Sequence, residues 1–317
     1  MLLRRQFVKS VLAFATASSF ASVPFTKSEG DFDETLVALL ADPHVGASPA
    51  PGYMQAYLSD VVAEILRVHP LPRHAVLFGD LAWLTGFATD YRASAPALRL
   101  LEDAGVKLVF GMGNHDRRAS FLETWPGRDA HTMVPGRLVT ITSLPHVDLL
   151  MLDTLTEGKI GVNPIMGGLG KAQQAWLAET LPAWPRPVIL CAHHPLHEIS
   201  FKKGLLSDFL LKCPCVCGYI HGHNHRWLPN WVQWSQTRAT IFRTLGLPST
   251  GFRGDIGYAM MRVTPHEVSV RLHQTDFWYP GPNDPRPLRK TIARDNNGQT
   301  CTFPLPSRGR GSENGAG

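Results

Sequence analysis

The sequence lacks a strong excess of either charge. It has 31 Lys and Arg against 26 Asp and Glu over 317 residues, a formal net charge of +5. Three of the basic residues, Arg4, Arg5 and Lys9, lie in an N-terminal segment without acidic residues, so the remainder is close to neutral. Proteins that depend on nucleic acid carry a marked basic surface. The composition therefore argues against an obligate nucleic-acid partner.

A long membrane-spanning apolar run is missing as well. Residues 10–25 carry no charge, but the run is rich in Ala, Ser and Thr and is too short to span a bilayer comfortably. The preceding Arg4-Arg5-Gln6-Phe7-Val8-Lys9 stretch resembles a twin-arginine export signal. We expect residues 1–26 to be a cleaved signal peptide for the twin-arginine machinery, with no stable membrane anchor, and the mature protein to be periplasmic or secreted. A membrane anchor is the alternative.

Cysteine is scarce. The chain has five cysteines, and an odd number in an exported protein argues against a complete disulfide framework. Cys213, Cys215 and Cys217 are spaced like metal-binding or redox cysteines, although no second pair follows. Cys215 and Cys217 flank Val216 in an apolar run, which favours one face of a buried strand. A thiolate metal site or a redox pair is the alternative.

Apolar runs and helical spacing alternate along the first two thirds of the chain, which indicates parallel strands joined by helical crossovers. The predicted strands are 35–41, 75–78, 106–110, 138–141, 147–152, 187–192, 216–220, 240–245, 258–263 and 268–272. The predicted helices are 53–68, 90–104, 171–181 and 205–211. We expect one domain over residues 31–278, followed by a tail over 279–317 that is rich in Pro, Gly and Arg.

Polar side chains follow five of these strands at the point where each strand ends. They lie in Asp42-Pro-His44, Gly79-Asp80, Gly113-Asn114-His115-Asp116, His193-His194 and Gly222-His223-Asn224-His225. Because open α/β sheets bind ligands beyond the carboxyl ends of their strands, we expect these groups to converge. An extended backbone would point both members of each two-apart pair the same way. Carboxylate, imidazole and amide groups suit first-row transition metals.

This five-part series resembles the calcineurin-like metallophosphoesterase family over about residues 35–226. The resemblance implies an α/β fold, a metallophosphoesterase-type sandwich of two mixed β-sheets flanked by helices. It also implies two divalent or mixed-valence transition metal ions, manganese, iron or zinc. The implied ligands are Asp42, His44 and His225 for the first metal, Asn114, His193 and His223 for the second, and Asp80 as the bridge.

The same resemblance implies two catalytic residues. His115 would face the substrate and protonate the leaving alcohol or steady the phosphoryl group, while Asp116 would fix the tautomer of His115. Asp116 as a cap of the following helix is the alternative. The ligand assigned to His193 could instead be His194. Trp83 stands where purple acid phosphatases have a tyrosine ligand, and an indole cannot bind a metal, so we expect no iron–tyrosinate centre.

The sequence therefore predicts a dinuclear metal-dependent phosphoesterase, in which a metal-bridging hydroxide hydrolyses a small-molecule phosphate ester. Phosphodiesters are favoured because the family resemblance is to compact phosphodiesterases and no added specificity domain is evident. The alternatives are a phosphomonoesterase or nucleotidase of the same fold and a non-catalytic metal-binding interaction protein. Arg117 and Arg118 are interpreted as solvated surface residues, with contact to a substrate phosphate as the alternative.

Overall fold

A computed structural model of the chain describes residues 31–47, 52–158, 163–201, 204–233, 241–274 and 297–306. The predicted signal peptide, residues 1–26, lies outside the described residues, and so does most of the predicted tail. Within the described ranges, no helix combines the length and the apolar character needed to cross a membrane.

Strands and helices alternate along the first half of the described chain, and strands predominate towards its end. The strands are β1 (Phe32–Leu40), β2 (Leu71–Leu77), β3 (Lys107–Phe110), β4 (Thr140–Ser143), β5 (Asp148–Met151), β6 (Val188–Ala192), β7 (Ser200–Phe201), β8 (Gly204–Leu205), β9 (Val216–His221), β10 (Leu228–Gln233), β11 (Ile241–Gly246), β12 (Gly257–Val263), β13 (Glu267–Gln274) and β14 (Thr300–Pro304). The α-helices are α1 (Tyr53–Ile65), α2 (Ala88–Asp103), α3 (Arg118–Thr124), α4 (Gly170–Thr180) and α5 (Leu206–Leu210), and Leu181–Ala183 and Leu196–Glu198 are short 3₁₀ helices.

The larger strands form two mixed sheets. The first has the order β14-β13-β12-β1-β2-β3 and the second the order β10-β11-β9-β6-β5-β4. In the first sheet β1, β2 and β3 are parallel, whereas β12 is antiparallel to β1. In the second, β5, β6, β9 and β11 are parallel, and β4 and β10 are antiparallel at the edges. The predicted α/β sandwich of two mixed sheets is confirmed.

The two sheets pack face to face, and helices cover their outer faces. Strand β1 illustrates this arrangement. Val37 and Leu39 lie in the apolar core between the sheets, whereas Ala38 and Leu40 pack on the other side with residues of α1 and α2. A strand buried on both faces requires a continuous apolar run instead of an alternating one. This requirement explains the uninterrupted apolar sequence that ends at the site.

Strand β14 extends the first sheet beyond the predicted domain boundary at residue 278. It pairs antiparallel with β13 along Glu267–Arg271. Cys301 and Phe303 point into the core between the sheets and are almost completely buried. Residues that the sequence assigned to the tail therefore contribute to the core of the domain.

The cysteines are buried free thiols. Cys217 lies in the core between the sheets, whereas Cys215 precedes β9 and packs in the outer core beside the helices. The two side chains therefore belong to different cores, and their predicted placement on one face is wrong. Burial raises the pKa of the Cys217 thiol to about 11, which keeps it protonated and agrees with a packing role.

Candidate metal centre

The five predicted site segments follow the carboxyl ends of β1, β2, β3, β6 and β9, and their side chains converge there. In a first group, the Nε2 atoms of His44 and His225 lie 3.2 Å apart. Asp42 belongs to the same group, with its Oδ1 atom 3.4 Å from His225 Nε2. Asp42 and His44 are almost fully buried. These three donor atoms are close enough to bind one ion.

A second group consists of Asn114, His193 and His223. His193 Nε2 lies 3.0 Å from Asn114 Oδ1 and 3.1 Å from His223 Nδ1. His223 Nδ1 lies 3.0 Å from the same amide oxygen. The three atoms therefore lie within 3.1 Å of one another and point towards a common position.

Asp80 lies between the two groups. Its Oδ2 atom is 3.5 Å from His44 Nε2 and 3.3 Å from His193 Nε2, so one oxygen approaches both groups. Its other oxygen, Oδ1, accepts the backbone N–H of His115 at 2.7 Å. This arrangement suits a carboxylate that bridges two cations, because the bridging charge screens their mutual repulsion.

Contacts to backbone carbonyls indicate which nitrogen of each imidazole faces the centre. His44 Nδ1 donates to the carbonyl oxygen of Trp83 at 3.1 Å, and His193 Nδ1 donates to that of Phe78 at 2.9 Å. In a neutral ring this leaves the Nε2 lone pair facing the centre. Together with the oxygens of Asp80 and Asn114, these lone pairs would repel one another, so the donor set fits cations.

The electrostatics of the centre lead to the same conclusion. Burial is the main cause that lowers the pKa of His44 to about 4 and that of His223 to about 4. Both rings are therefore neutral near pH 7, as metal ligands must be. Burial would also lower the pKa of His193, but the carboxylates of Asp80 and Asp42 raise it to about 9. A bound cation would take the place of that proton.

The backbone of the ligands is left-handed at most positions. The φ angles are 51° at Asp42, 47° at His44, 50° at Asp80, 68° at His223 and 52° at His225. The expected extended backbone at the two-apart pairs is therefore wrong, although their side chains still converge. Asp and His enter this region more readily than most residues, and each such residue costs about 1–3 kcal/mol. Non-glycine residues held there concentrate at functional sites.

Two glycines permit the close approach of the strand-end loops. A Cβ atom on Gly222 would lie 2.6 Å from Asp42 Oδ2, and one on Gly113 would collide with Asp80 Oδ1. Both positions precede a predicted ligand, as the sequence indicated. Any larger residue would push the bridging or terminal carboxylate out of place.

His115 lies at the edge of the centre and is 28% exposed. Its Nδ1 atom donates to the carbonyl oxygen of Leu84 at 2.9 Å. Its Nε2 atom lies 4.0 Å from Asp80 Oδ2, and its ring centroid is 4.8 Å from that of His44. The ring therefore presents Nε2 to whatever binds above the carboxylate.

Asp116 does not orient His115, because the Nδ1 atom of His115 donates to the carbonyl oxygen of Leu84 instead. The Asp116 oxygens accept the backbone N–H of Gly113 at 2.9 Å, that of Ala82 at 3.2 Å and the Tyr91 hydroxyl at 3.1 Å. Burial and the charge of Asp80 raise the pKa of Asp116 to about 6. Asp116 therefore joins its own loop to the loop after β2 and to α2, and its expected role is corrected to the support of these segments.

Comparisons with known proteins bear on the family and the fold. No family model matches the chain. A protein of Rhodopseudomonas palustris, described as a probable cyclic nucleotide phosphodiesterase, is 35% identical over 238 residues, 72% of this chain and 76% of the relative. The chain belongs to the calcineurin-like metallophosphoesterase family. A dimetal phosphatase of Danio rerio has the same fold, with 15% identity, 75% of this chain and 95% of that chain covered, and a TM-score of 0.55.

This metallophosphoesterase is a metal-dependent hydrolase of phosphate esters, as the sequence predicted. His193 Nε2 faces Asn114 and His223 in the centre, and His194 Nδ1 lies 2.7 Å from Thr154 Oγ1. Because His193, His194 and His223 also form a group that could hold an ion, the choice between the two histidines stays a prediction. Trp83 contributes its carbonyl oxygen and no ligand atom. The assignment of each predicted ligand to a particular metal ion stays a prediction.

Two residues beside the metallophosphoesterase centre escaped the sequence-based prediction. Glu198 Oε2 lies 3.2 Å from His223 Nε2. Asn163 Nδ2 donates to the carbonyl oxygens of Asn114 at 2.9 Å and Asp116 at 2.8 Å. Neither residue belongs to a recognisable motif, and both are far from their partners in sequence. Only the folded chain reveals them.

Arg118 is not a solvated surface residue, as the sequence had suggested. It makes a two-point contact with the fully buried Asp153, at 2.6 Å and 2.7 Å, and a further ion pair with Glu157 at 3.1 Å. Arg117 donates from Nε to the carbonyl oxygen of Thr85 at 3.1 Å. Arg118 is therefore held by two carboxylates, whereas the Arg117 guanidinium meets a backbone carbonyl.

Proposed function

We propose that this metallophosphoesterase hydrolyses phosphodiesters and that cyclic nucleotides belong to its substrates. The observation that carries the proposal is the Asp80 carboxylate, one oxygen of which approaches both ligand groups while His115 flanks it. The substrate class is supported by the 35% identical relative that is described as a probable cyclic nucleotide phosphodiesterase.

The ligand groups around Asp80 fit two cations. When bound, divalent transition metal ions would supply Lewis-acid charge to the phosphoryl oxygens and acidify water. The chain itself supplies a group that can protonate the leaving group. The Leu84 carbonyl accepts the Nδ1 proton of His115, so Nε2 is the ring atom left to exchange a proton with the substrate. A proton carried on Nε2 would pass to the departing alcohol oxygen as the phosphorus–oxygen bond breaks, which leaves a neutral imidazole.

The ion pairs of Arg118 favour a diester over a monoester. A monoester dianion gains most from free cationic side chains, whereas a diester carries a single negative charge. Arg118, next to the site, is already neutralised by Asp153 and Glu157. Arg118 thus has little opportunity to bind a second phosphoryl charge.

Hydrolysis of three substrates tests the proposal. Purified protein is stripped of metal and reconstituted with manganese, iron(II) or zinc, and its kcat/KM is compared for 3′,5′-cyclic AMP, bis(p-nitrophenyl) phosphate and p-nitrophenyl phosphate. Both diesters should exceed the monoester, and Asp80→Ala should lose activity together with bound metal. A preference for the monoester would support a phosphomonoesterase or nucleotidase instead.

We further propose export by the twin-arginine machinery, which would place the enzyme in the periplasm. The support is the Arg4-Arg5 pair ahead of an uncharged run. Replacement of both arginines with lysine should retain the protein in the cytoplasm on cell fractionation. Periplasmic recovery of the double variant would contradict the assignment.

A further inference from the structure

Large apolar side chains are exposed on two loops beside the metal centre. They are Leu84 (48% exposed), Phe87 (61%), Ile165 (66%) and Met166 (53%). Soluble proteins expose single apolar side chains routinely, but several on neighbouring functional loops are typical of a binding site. We call Leu84, Phe87, Ile165 and Met166 the apolar rim.

The first loop of the rim is attached to the catalytic segment. The carbonyl oxygen of Leu84 accepts the Nδ1 proton of His115 at 2.9 Å. A Cβ atom on Gly86 would lie 2.6 Å from the backbone nitrogen of Arg117, so the two segments are in direct contact. Leu84 and Phe87 therefore border the side of the centre where His115 and His44 lie.

The second loop borders the other ligand group. Asn163, at one end of this loop, donates to the backbone of Asn114 and Asp116. A Cβ atom on Gly167 would lie 2.7 Å from the ring of His194, and that ring is 5.0 Å from the ring of His223. Ile165 and Met166, between these two anchors, therefore border the second ligand group.

From this placement we infer that the apolar rim binds the organic group of the substrate, a planar heteroaromatic base joined to the phosphodiester. The inference rests on the proposed function. A phosphoryl group over Asp80 would direct its alcohol substituents towards the loops that frame the centre. Phe and Met side chains make favourable contacts with aromatic rings, and Leu and Ile contribute apolar area. The base would thus be selected by the rim, and the phosphoryl group by the centre.

Truncation of one residue on each loop tests the inference. The variants are Phe87→Ala, Ile165→Ala and the double variant, with Leu100→Ala and Met133→Ala as controls, because Leu100 and Met133 are similarly exposed (51% and 42%) and lie outside the two loops. The double variant should raise KM for 3′,5′-cyclic AMP by about tenfold or more, the usual scale for lost apolar contact. Its kcat should not change, because the lost binding is equal in the ground and transition states.

Two competitive inhibitors distinguish binding at the apolar rim from binding at the metal centre. Inorganic phosphate occupies only the phosphoryl position, so its inhibition constant should be the same in all variants, whereas inhibition by adenosine should weaken in the rim variants alone. Equal effects on phosphate and adenosine, or no difference from the controls, would overturn the inference. Loss of binding to phosphatidylethanolamine–phosphatidylglycerol vesicles with unchanged KM would overturn it too, since the rim would then be a membrane surface.

The same experiment distinguishes failure of the inference from failure of the proposed function. If the wild-type enzyme cleaves only monoesters, the diester assignment fails, but adenosine inhibition of monoester cleavage still reports on the rim. If the diesters are cleaved and adenosine inhibits rim and control variants alike, the proposed function stands and the rim assignment fails.

Discussion

The Nε2 atom of His223 lies 3.2 Å from Oε2 of Glu198, on the side of the ring that faces away from the metal centre. A proton on Nε2 is attracted to the carboxylate, so the lone pair resides on Nδ1, the atom that faces Asn114 and His193. Carboxylates in this relation to a ligating imidazole fix its tautomer and increase its basicity. Glu198 is therefore a positioning residue for the second ligand group.

The main effect of replacing Glu198 should be weaker metal binding. We expect Glu198→Ala to lower the affinity for the more weakly held ion by about 10–100-fold, the usual effect of losing such a partner. Glu198→Gln should retain part of this metal affinity, because the amide oxygen of glutamine can still accept the Nε2 proton of His223. Titration calorimetry and metal analysis provide the measurement, with the exposed Glu179→Gln as the control. Unchanged metal affinity in Glu198→Ala would contradict the positioning role.

Replacement of His115 should separate catalysis from metal binding. We expect His115→Ala to retain the metal content of the wild type and to lose about 10²–10⁴-fold in kcat, the usual contribution of a proton-transfer group. The reason is its position at the edge of the centre, with Nε2 4.0 Å from Asp80 Oδ2. Because His44, Asp80 and His115 are close enough to hold an ion, the metal content decides between the two roles. Metal analysis and steady-state kinetics give both readings, with the exposed His131→Ala as the control. Loss of metal in His115→Ala would show that it is a ligand.

The convergence of the seven predicted ligands could be read from sequence because each follows a parallel strand. Asp42 and Asp80 end neighbouring strands β1 and β2, and the carboxyl ends of parallel strands meet at one edge. The local backbone could not be read in this way. The amide of Asp42 donates to the Gly79 carbonyl at 3.2 Å, and such contacts between loops hold φ positive where propensity favours extended backbone.

Neither the long-range contacts between loops nor the last strand, β14, could be predicted from the sequence. Asn163 contacts the backbone of Asn114 across 49 positions, and an asparagine in a loop is ordinarily just a turn residue. Strand β14 is short and half polar, and it becomes recognisable only through its partner β13. A strand at a sheet edge is stabilised by its neighbour more than by its own propensity.

Asp116→Asn tests the corrected role of this residue. The amide cannot accept from Gly113, Ala82 and Tyr91 as the carboxylate does, so one buried N–H loses its acceptor. We expect the free energy of unfolding to fall by about 1–3 kcal/mol, and Tyr91→Phe to cause a smaller loss. Urea denaturation measures both. A shifted pH profile of kcat with unchanged stability would instead restore Asp116 as the partner of His115.

The acid sensitivity of the fold should depend in part on His74. This residue is buried in β2, and burial together with the charges of Lys107 and Arg73 lowers its pKa from 6.5 to about 4. Between these values the unfolded chain binds the proton first, so stability should fall as the pH decreases from about 6.5 towards 4. His74→Gln should lose less stability over that range than the wild type, whereas the exposed His266→Gln should match the wild type in urea denaturation. Parallel pH dependence of wild type and His74→Gln would exclude His74 as a source, because the metal-ligand histidines are common to both proteins.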